Sequence, residues 1–253
     1  MSPIGESLIV FAVLLGGACI GLIANLLLPD HHRSDGTRTH FAATVSVVAT
    51  LAALVLGLAI SNANTSRGTM IQDLALMSSD ITRIDHHLRH FGPDADNARH
   101  LLAGFARQKR DDLFPPAPGV TANPDNLATA AKLDDVQTAI LALTPHDDAQ
   151  KWRQAQALDL AINVETVRWA IAEQEHVAVP QAVVGIVSFW LAVLFGTYGL
   201  FMPRHVTAFV AMVLSAAAVA SAIFLILEAR TPFTGLVHIP AASLDAAVAG
   251  LDR

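Results

Sequence analysis

Four stretches of the chain, residues 7–28, 41–62, 181–202 and 206–227, are dominated by apolar side chains and contain no Asp, Glu, Lys, Arg or His. A bilayer core of about 30 Å needs about 20 helical residues, so each stretch predicts one membrane span. The first lacks a basic n-region, and its apolar run is longer than that of a signal peptide, which reads it as a span. Pro29 closes that span, and Pro203, Arg204 and His205 make a tight turn between the third and fourth, so the spans pair as two hairpins. Four crossings bring the chain back to its starting side. Both termini and the intervening residues 63–180 are therefore expected on one side of the bilayer.

Past Asn62 the pattern changes period without a breaker. Met70, Leu74, Met77, Ile81, Ile84 and Leu88 repeat at four-three spacing until Phe91, Gly92 and Pro93 stop the helix. The second span is thus expected to continue as one long rod with a single stripe that must pack against other helices. Candidates follow at 94–114, 126–143 and 147–179. The last carries Ala157, Leu160, Val164, Val167 and Ile171 at heptad-like spacing and runs into Pro180. Residues 114–126, with four prolines, read as a loop between two helical hairpins. The expected fold is all-α: a transmembrane hairpin (1–62), a water-exposed helical domain (63–180), a second hairpin (181–230) and a C-terminal tail (231–253).

Composition agrees, because 53% hydrophobic and 15% charged residues do not describe an ordinary soluble domain. The lipid bilayer is the expected partner. A net charge of -6 without a basic patch sets nucleic acid aside. The one cysteine, Cys19, rules out a disulfide framework or a cysteine zinc site within one chain. Spans free of ionisable groups argue against a proton pump or an ion-coupled transporter. GxSxG, HExxH, SxxK, P-loop and GxGxxG motifs are all missing, so neither an enzyme nor a cofactor is expected. Arg33, Arg38 and Arg204 in the short connections lean the helical domain out of the cytoplasm, while Arg67, Arg168 and Arg230 lie near spans on the other side.

Three sets of residues carry candidate chemistry. His86 and His90 stand four apart on one helix face and could hold a metal with His87, Asp85 or His100; the alternative is a solvated polar face, and His31 and His32 invite the same caution. Small residues run in stripes, Gly17, Gly21 and Asn25 in the first span and Gly185, Ser188, Ala192, Gly196 and Gly199 in the third, which implies close helix packing. In the second span Ser46, Thr50, Ala53, Gly57, Ser61 and Asn64 fall within about 80° of arc at about 100° per residue. That small, polar, uncharged face either packs against a neighbour or lines a water-filled path. Glu228, at the end of the fourth span, reads as an interfacial residue or a partner for Arg230.

The order of two spans, a helical domain, two spans and a tail resembles the bestrophin-like family of bacterial membrane proteins. The most specific part follows the last span, where the family tends to show an acid, then Pro-Phe, a small residue and Gly; Glu228, Pro232, Phe233, Thr234 and Gly235 match, and Pro240 follows. Arg230 stands where members often carry a second acid. The resemblance implies a bacterial inner-membrane protein that forms homo-oligomers, with an ion path along the second span and the helical domain in the cytoplasm, against the lean of the charges. Glu228, Pro232, Phe233 and Gly235 are expected to act as a structural latch, Pro232 ending the span and Phe233 inserting into the base of the helical domain. The alternatives are a non-conducting scaffold or sensor whose helical domain binds a protein partner and a metal-responsive protein.

Overall fold

The computed structural model describes residues 2–27, 35–117, 120–176, 181–203, 205–236 and 238–252, with all their side chains but those of 35–38, 175, 176 and 181. Pro29, His31, His32, Arg33, Pro180 and Arg204 lie outside the described residues, as does the side chain of Arg38. The described residues form α-helices and no strand: α1 (Pro3–Leu27), α2 (Asp35–Phe91), α3 (Asp96–Leu113), α4 (Leu127–Leu141), α5 (Asp148–His176), α6 (Gln181–Phe201), α7 (Val206–Glu228) and α8 (Ala242–Leu251). Four of them, α1, α2, α6 and α7, are long and apolar enough to cross a membrane. The chain divides into two compact units, one of residues 1–65 with 178–230, the other of 66–177 with 231–253.

In the first unit α1 packs against α6 and α7. The glycines of the sequence stripes explain how close the first of these contacts is. A methyl group at Gly21 would collide with the carbonyl of Gly196, and one at Gly199 with that of Ala18. Only hydrogen side chains allow the backbones to meet there, and in lipid such van der Waals packing is a main source of helix association. Asn25 strengthens the same seam by donating from Nδ2 to the Leu200 carbonyl at 2.7 Å. Leu14, Ala18, Phe195, Met212, Ala216 and Ile223 form the centre of this unit. Around it Leu8, Ile20, Leu27, Ile186, Phe189 and Leu214 are exposed, as lipid-facing side chains would be.

The second unit is built on the stripe that the sequence displays. Met70, Leu74, Met77, Ile81, Ile84 and Leu88 are 0–3% exposed and pack with Leu102, Phe105 and Leu113 of α3, Leu133, Val136 and Ile140 of α4, and Val164 and Ile171 of α5. α2 ends at Phe91 because Gly92 turns the backbone to φ 119°, a region that disfavours any side chain with a Cβ, and a 3-10 turn over Pro93–Ala95 leads into α3. Asn126 caps α4 by accepting from the Ala128 N–H at 3.0 Å.

Residues 231–253 are not a separate tail. They belong to the second unit, where Leu244 and Ala247 of α8 are buried and Asp245 meets Arg110 of α3 at 3.0 Å. Little in the sequence announces α8, since Leu244, Ala247 and Leu251 make too short a stripe to stand out.

Candidate functional site

The membrane part of α2 presents three faces. Val45, Val48, Ala49, Ala52 and Leu56 pack against the centre of the first unit. Ser46, Thr50, Ala53, Gly57, Ser61 and Asn64 lie on a second face, and all six are exposed. Beyond its own stretch of helix, no atom of the described residues lies within 4 Å of where a Cβ of Gly57 would stand, so among them nothing covers the middle of this face. The third face holds Val47, Leu51, Leu54 and Leu58, which are 58–65% exposed. The Ser46 hydroxyl donates to the Ala42 carbonyl and the Thr50 hydroxyl to the Ser46 carbonyl, both at 2.8 Å. Their protons are therefore spent on their own helix, and what these two hydroxyls offer outward is acceptor lone pairs.

After α7 the motif residues divide between the units. Glu228 belongs to the first and is buried, at 5% exposure. Arg230 lies near another acid, its Nη1 standing 3.8 Å from Glu6. Phe233 belongs to the second unit, where it is 6% exposed within the core. The backbone around it is tied into a turn: the N–H of Gly235 donates to the Thr231 carbonyl at 2.9 Å and that of Ile239 to the Pro232 carbonyl at 2.8 Å. Arg67 of α2 adds a bond from Nη2 to the His238 carbonyl at 3.2 Å.

Among the described residues the histidines do not gather a ligand set. His86 and His90 stack with centroids 4.3 Å apart, and His90 Nδ1 lies 2.8 Å from the His86 carbonyl oxygen. Asp85, a candidate third ligand, is engaged by Arg89 at 2.6 Å and Arg99 at 2.9 Å. His87 packs edge-on against Trp152, and burial, with nearby histidine and arginine charge, lowers its pKa. Among the described residues no three His, Cys, Asp or Glu side chains converge as a metal site.

One constellation escaped sequence reasoning. Lys109 is 1% exposed and donates from Nζ to the Pro124 carbonyl at 2.6 Å. Beside it Asp112 accepts from Gln108, Asn126 and Thr129, and its carbonyl takes the N–H of Asn123 at 2.8 Å. Arg168, also buried, reaches Asp125 at 3.5 Å. Residues 123–126 are thereby held at every position by α3, α4 or α5. Desolvation, with the charge of Arg168, pushes Lys109 down to about 8. The only hint in the sequence was a polar run, QKRDD, inside an otherwise periodic helix.

The fold has known counterparts. Crystal structures of single-residue variants of a bacterial bestrophin homologue from Klebsiella pneumoniae match it. One has a TM-score of 0.72 at 16% identity, over 99% of this chain and 97% of that one. A second gives 0.71 at 17%, over 96% and 97%, and a third 0.69 at 16%, also over 96% and 97%. At such identities the likeness speaks for the fold. Among curated proteins nothing matches the sequence. The profile of the Bestrophin-like domain family, however, matches residues 11–244. By that match, which takes in α1 from residue 11, the other three apolar helices and the helical unit between them, the chain belongs to the bestrophin-like domain family and is a membrane protein of the bestrophin type.

Proposed function

We propose that the protein is a homo-oligomeric channel in which copies of α2 turn the face of Ser46, Thr50, Ala53, Gly57, Ser61 and Asn64 toward a common axis. The observation that carries this reading is the uncovered state of that face, in a helix whose opposite side is packed. Hydroxyl and amide groups facing hydrocarbon find few partners, whereas a water-filled path satisfies them. The neighbouring face of Val47, Leu51, Leu54 and Leu58 is apolar and suits lipid or the flank of the next copy. A lumen without fixed charge, lined in part by acceptor oxygens, discriminates weakly between ions. Diameter and the chain's net charge of -6 then set a small preference for cations.

Protein reconstituted into a planar bilayer should give unitary current steps, with a reversal potential in a salt gradient displaced slightly toward that of the cation. A silent bilayer at every potential, with assembled protein in it, favours the second reading, a non-conducting scaffold. What speaks for that reading is that α5 exposes two tryptophans, Trp152 and Trp169, at separate places along its length, a residue type enriched in protein contacts. Both readings place the termini and the helical domain on one side of the inner membrane. Reporter fusions at Asn123 and at the C-terminus should accordingly agree.

A further inference from the structure

A cavity of about 500 Å³ opens in the first unit where α2, α6 and α7 approach one another. Its floor is made by Phe195 and Met212, which are 4% and 7% exposed, and its rim includes Phe41 and Tyr198, at 44% and 52%. The space exists because α7 and α2 present short side chains there, Ala208, Ala211 and Ala42, while the aromatic rings stand opposite or aside. Phe41 and Phe201 meet at 5.5 Å but do not fill it.

The chemistry of the walls narrows the occupant. Two hydroxyls line the cavity besides that of Tyr198, and both are satisfied locally: Thr197 donates to the Leu194 carbonyl at 2.7 Å and Ser215 to the Ala211 carbonyl at 2.8 Å. Ordered water needs two to four polar partners, and the interior does not supply them. A polar metabolite fails for the same reason. A void, on the other hand, forfeits the dispersion contacts of every atom that lines it. Outside the mouth the surface stays apolar, with Phe209, Val210 and Leu214 exposed on α7. The wet end differs. His40 directly precedes the lining residue Phe41, and His205 falls in the chain between the lining residues Pro203 and Ala208; both are exposed, and an imidazole can hydrogen-bond an anionic or ester oxygen. Tyr198 lies just under one turn before the end of α6, near a helix end as tyrosines of membrane spans commonly are. Hydrocarbon walls with two exposed imidazoles close in sequence to one end match an amphiphile. The cavity runs along α7 from Ala208 to Ser215, roughly 10 Å.

We infer that this cavity is a phospholipid site, taking one acyl chain between α2, α6 and α7 and setting the headgroup against His40 and His205. The inference requires the membrane setting but not ion conduction.

The test uses the full chain, purified from membranes doped with a phosphatidylglycerol whose acyl chain carries a diazirine, then washed in detergent before illumination. Peptide mapping should find the label retained at Met202 and Met212 after it has been washed from Leu214, which faces outward. Ala211→Phe should fill the space and reduce the retained label roughly tenfold or more. Ser215→Leu, a milder filling, should act in the same direction, which covers the case in which the phenylalanine variant does not assemble. Replacing both His40 and His205 by Ala should weaken retention without moving the labelled positions. Label lost from Met212 as fast as from Leu214 would overturn the assignment, as would retention unchanged in both filled variants. A partner copy seated at the mouth would instead leave Met212 unlabelled and give disulfide-linked dimers of Ala208→Cys in a Cys19→Ser background, and that too would overturn it.

Discussion

The ring of Phe233 meets that of Phe114 edge-on, with centroids 5.5 Å apart and planes at 89°. This contact joins the segment after α7 to the end of α3, inside the core of the helical unit. Its geometry is the one that aromatic quadrupoles prefer. Phe233→Ala removes the ring and leaves a cavity among residues held by several helices, so collapse around it is limited. A loss of about 3 kcal/mol or more is expected. It should appear as a lower melting temperature and a lower yield of assembled protein, while Phe233→Leu costs less. A wild-type melting temperature in the alanine variant would show that the segment does not hold the unit together.

The α1 to α6 seam makes a sharper test, because glycines of the same helices differ in what surrounds them. At Gly21 and Gly199 an added methyl would strike backbone carbonyls, which cannot rotate away, whereas at Gly185 it meets nothing within 4 Å. Gly21→Ala and Gly199→Ala should each push the helices apart and cost about 1–3 kcal/mol, seen as aggregation on extraction or loss of thermal stability. Gly185→Ala should be silent, or stabilising by the helix propensity of alanine. Equal behaviour of all three variants would contradict the close approach.

Lys109 gives a dependence on pH with a defined sign. Burial, helped by the charge of Arg168 and opposed by Asp112 and Asp125, lowers it to about 8 from the ordinary value of 10.5. Between those values the unfolded chain holds a proton that the folded chain has released, so stability rises with pH across that window. The full effect is about 3 kcal/mol, at roughly 1.4 kcal/mol per pH unit. Denaturant titrations of the whole protein can follow it through Trp152 and Trp169, with Trp190→Phe removing the signal of the membrane helices. In Lys109→Met this part of the slope should vanish. At neutral pH the same variant should change stability little, since relief of a buried charge offsets the loss of a donor to the Pro124 carbonyl. An identical slope in both proteins would place the titration elsewhere.

Single cysteines from Val45 to Thr65, in a Cys19→Ser background, test the channel reading directly. A water-soluble thiol reagent should modify positions 46, 50, 53, 57, 61 and 64 and spare Val48, Ala52 and Leu56, which are packed, and Leu51, Leu54 and Leu58, which suit lipid or a neighbouring copy. Reaction along the Leu51 face, or none within the bilayer, would make the polar stripe a seam between copies.

Much of the architecture follows from the sequence alone. Apolar runs of about 20 residues declare spans because hydrocarbon leaves few other uses for them. A four-three stripe from Met70 to Leu88 declares a helix with one buried face, and Gly92 with Pro93 declares its end. The small polar face of the second span was equally visible, since it depends only on the helical period. Partner choice was not. A stripe of glycines says that something comes close, but only the fold decides that Gly21 meets Gly196 and Gly199 meets Ala18. The motif around Phe233 marked that residue, yet its neighbour Phe114 stands across a sequence separation no local pattern spans. Likewise Lys109 and Arg168 are ordinary polar residues on paper. They become buried charges because α3, α4 and α5 converge, and desolvation depends on the atoms of all three helices together. The cavity beside Ala211 is more remote still from the sequence, for empty volume is what remains when three helices meet through short side chains, and no single helix contains it.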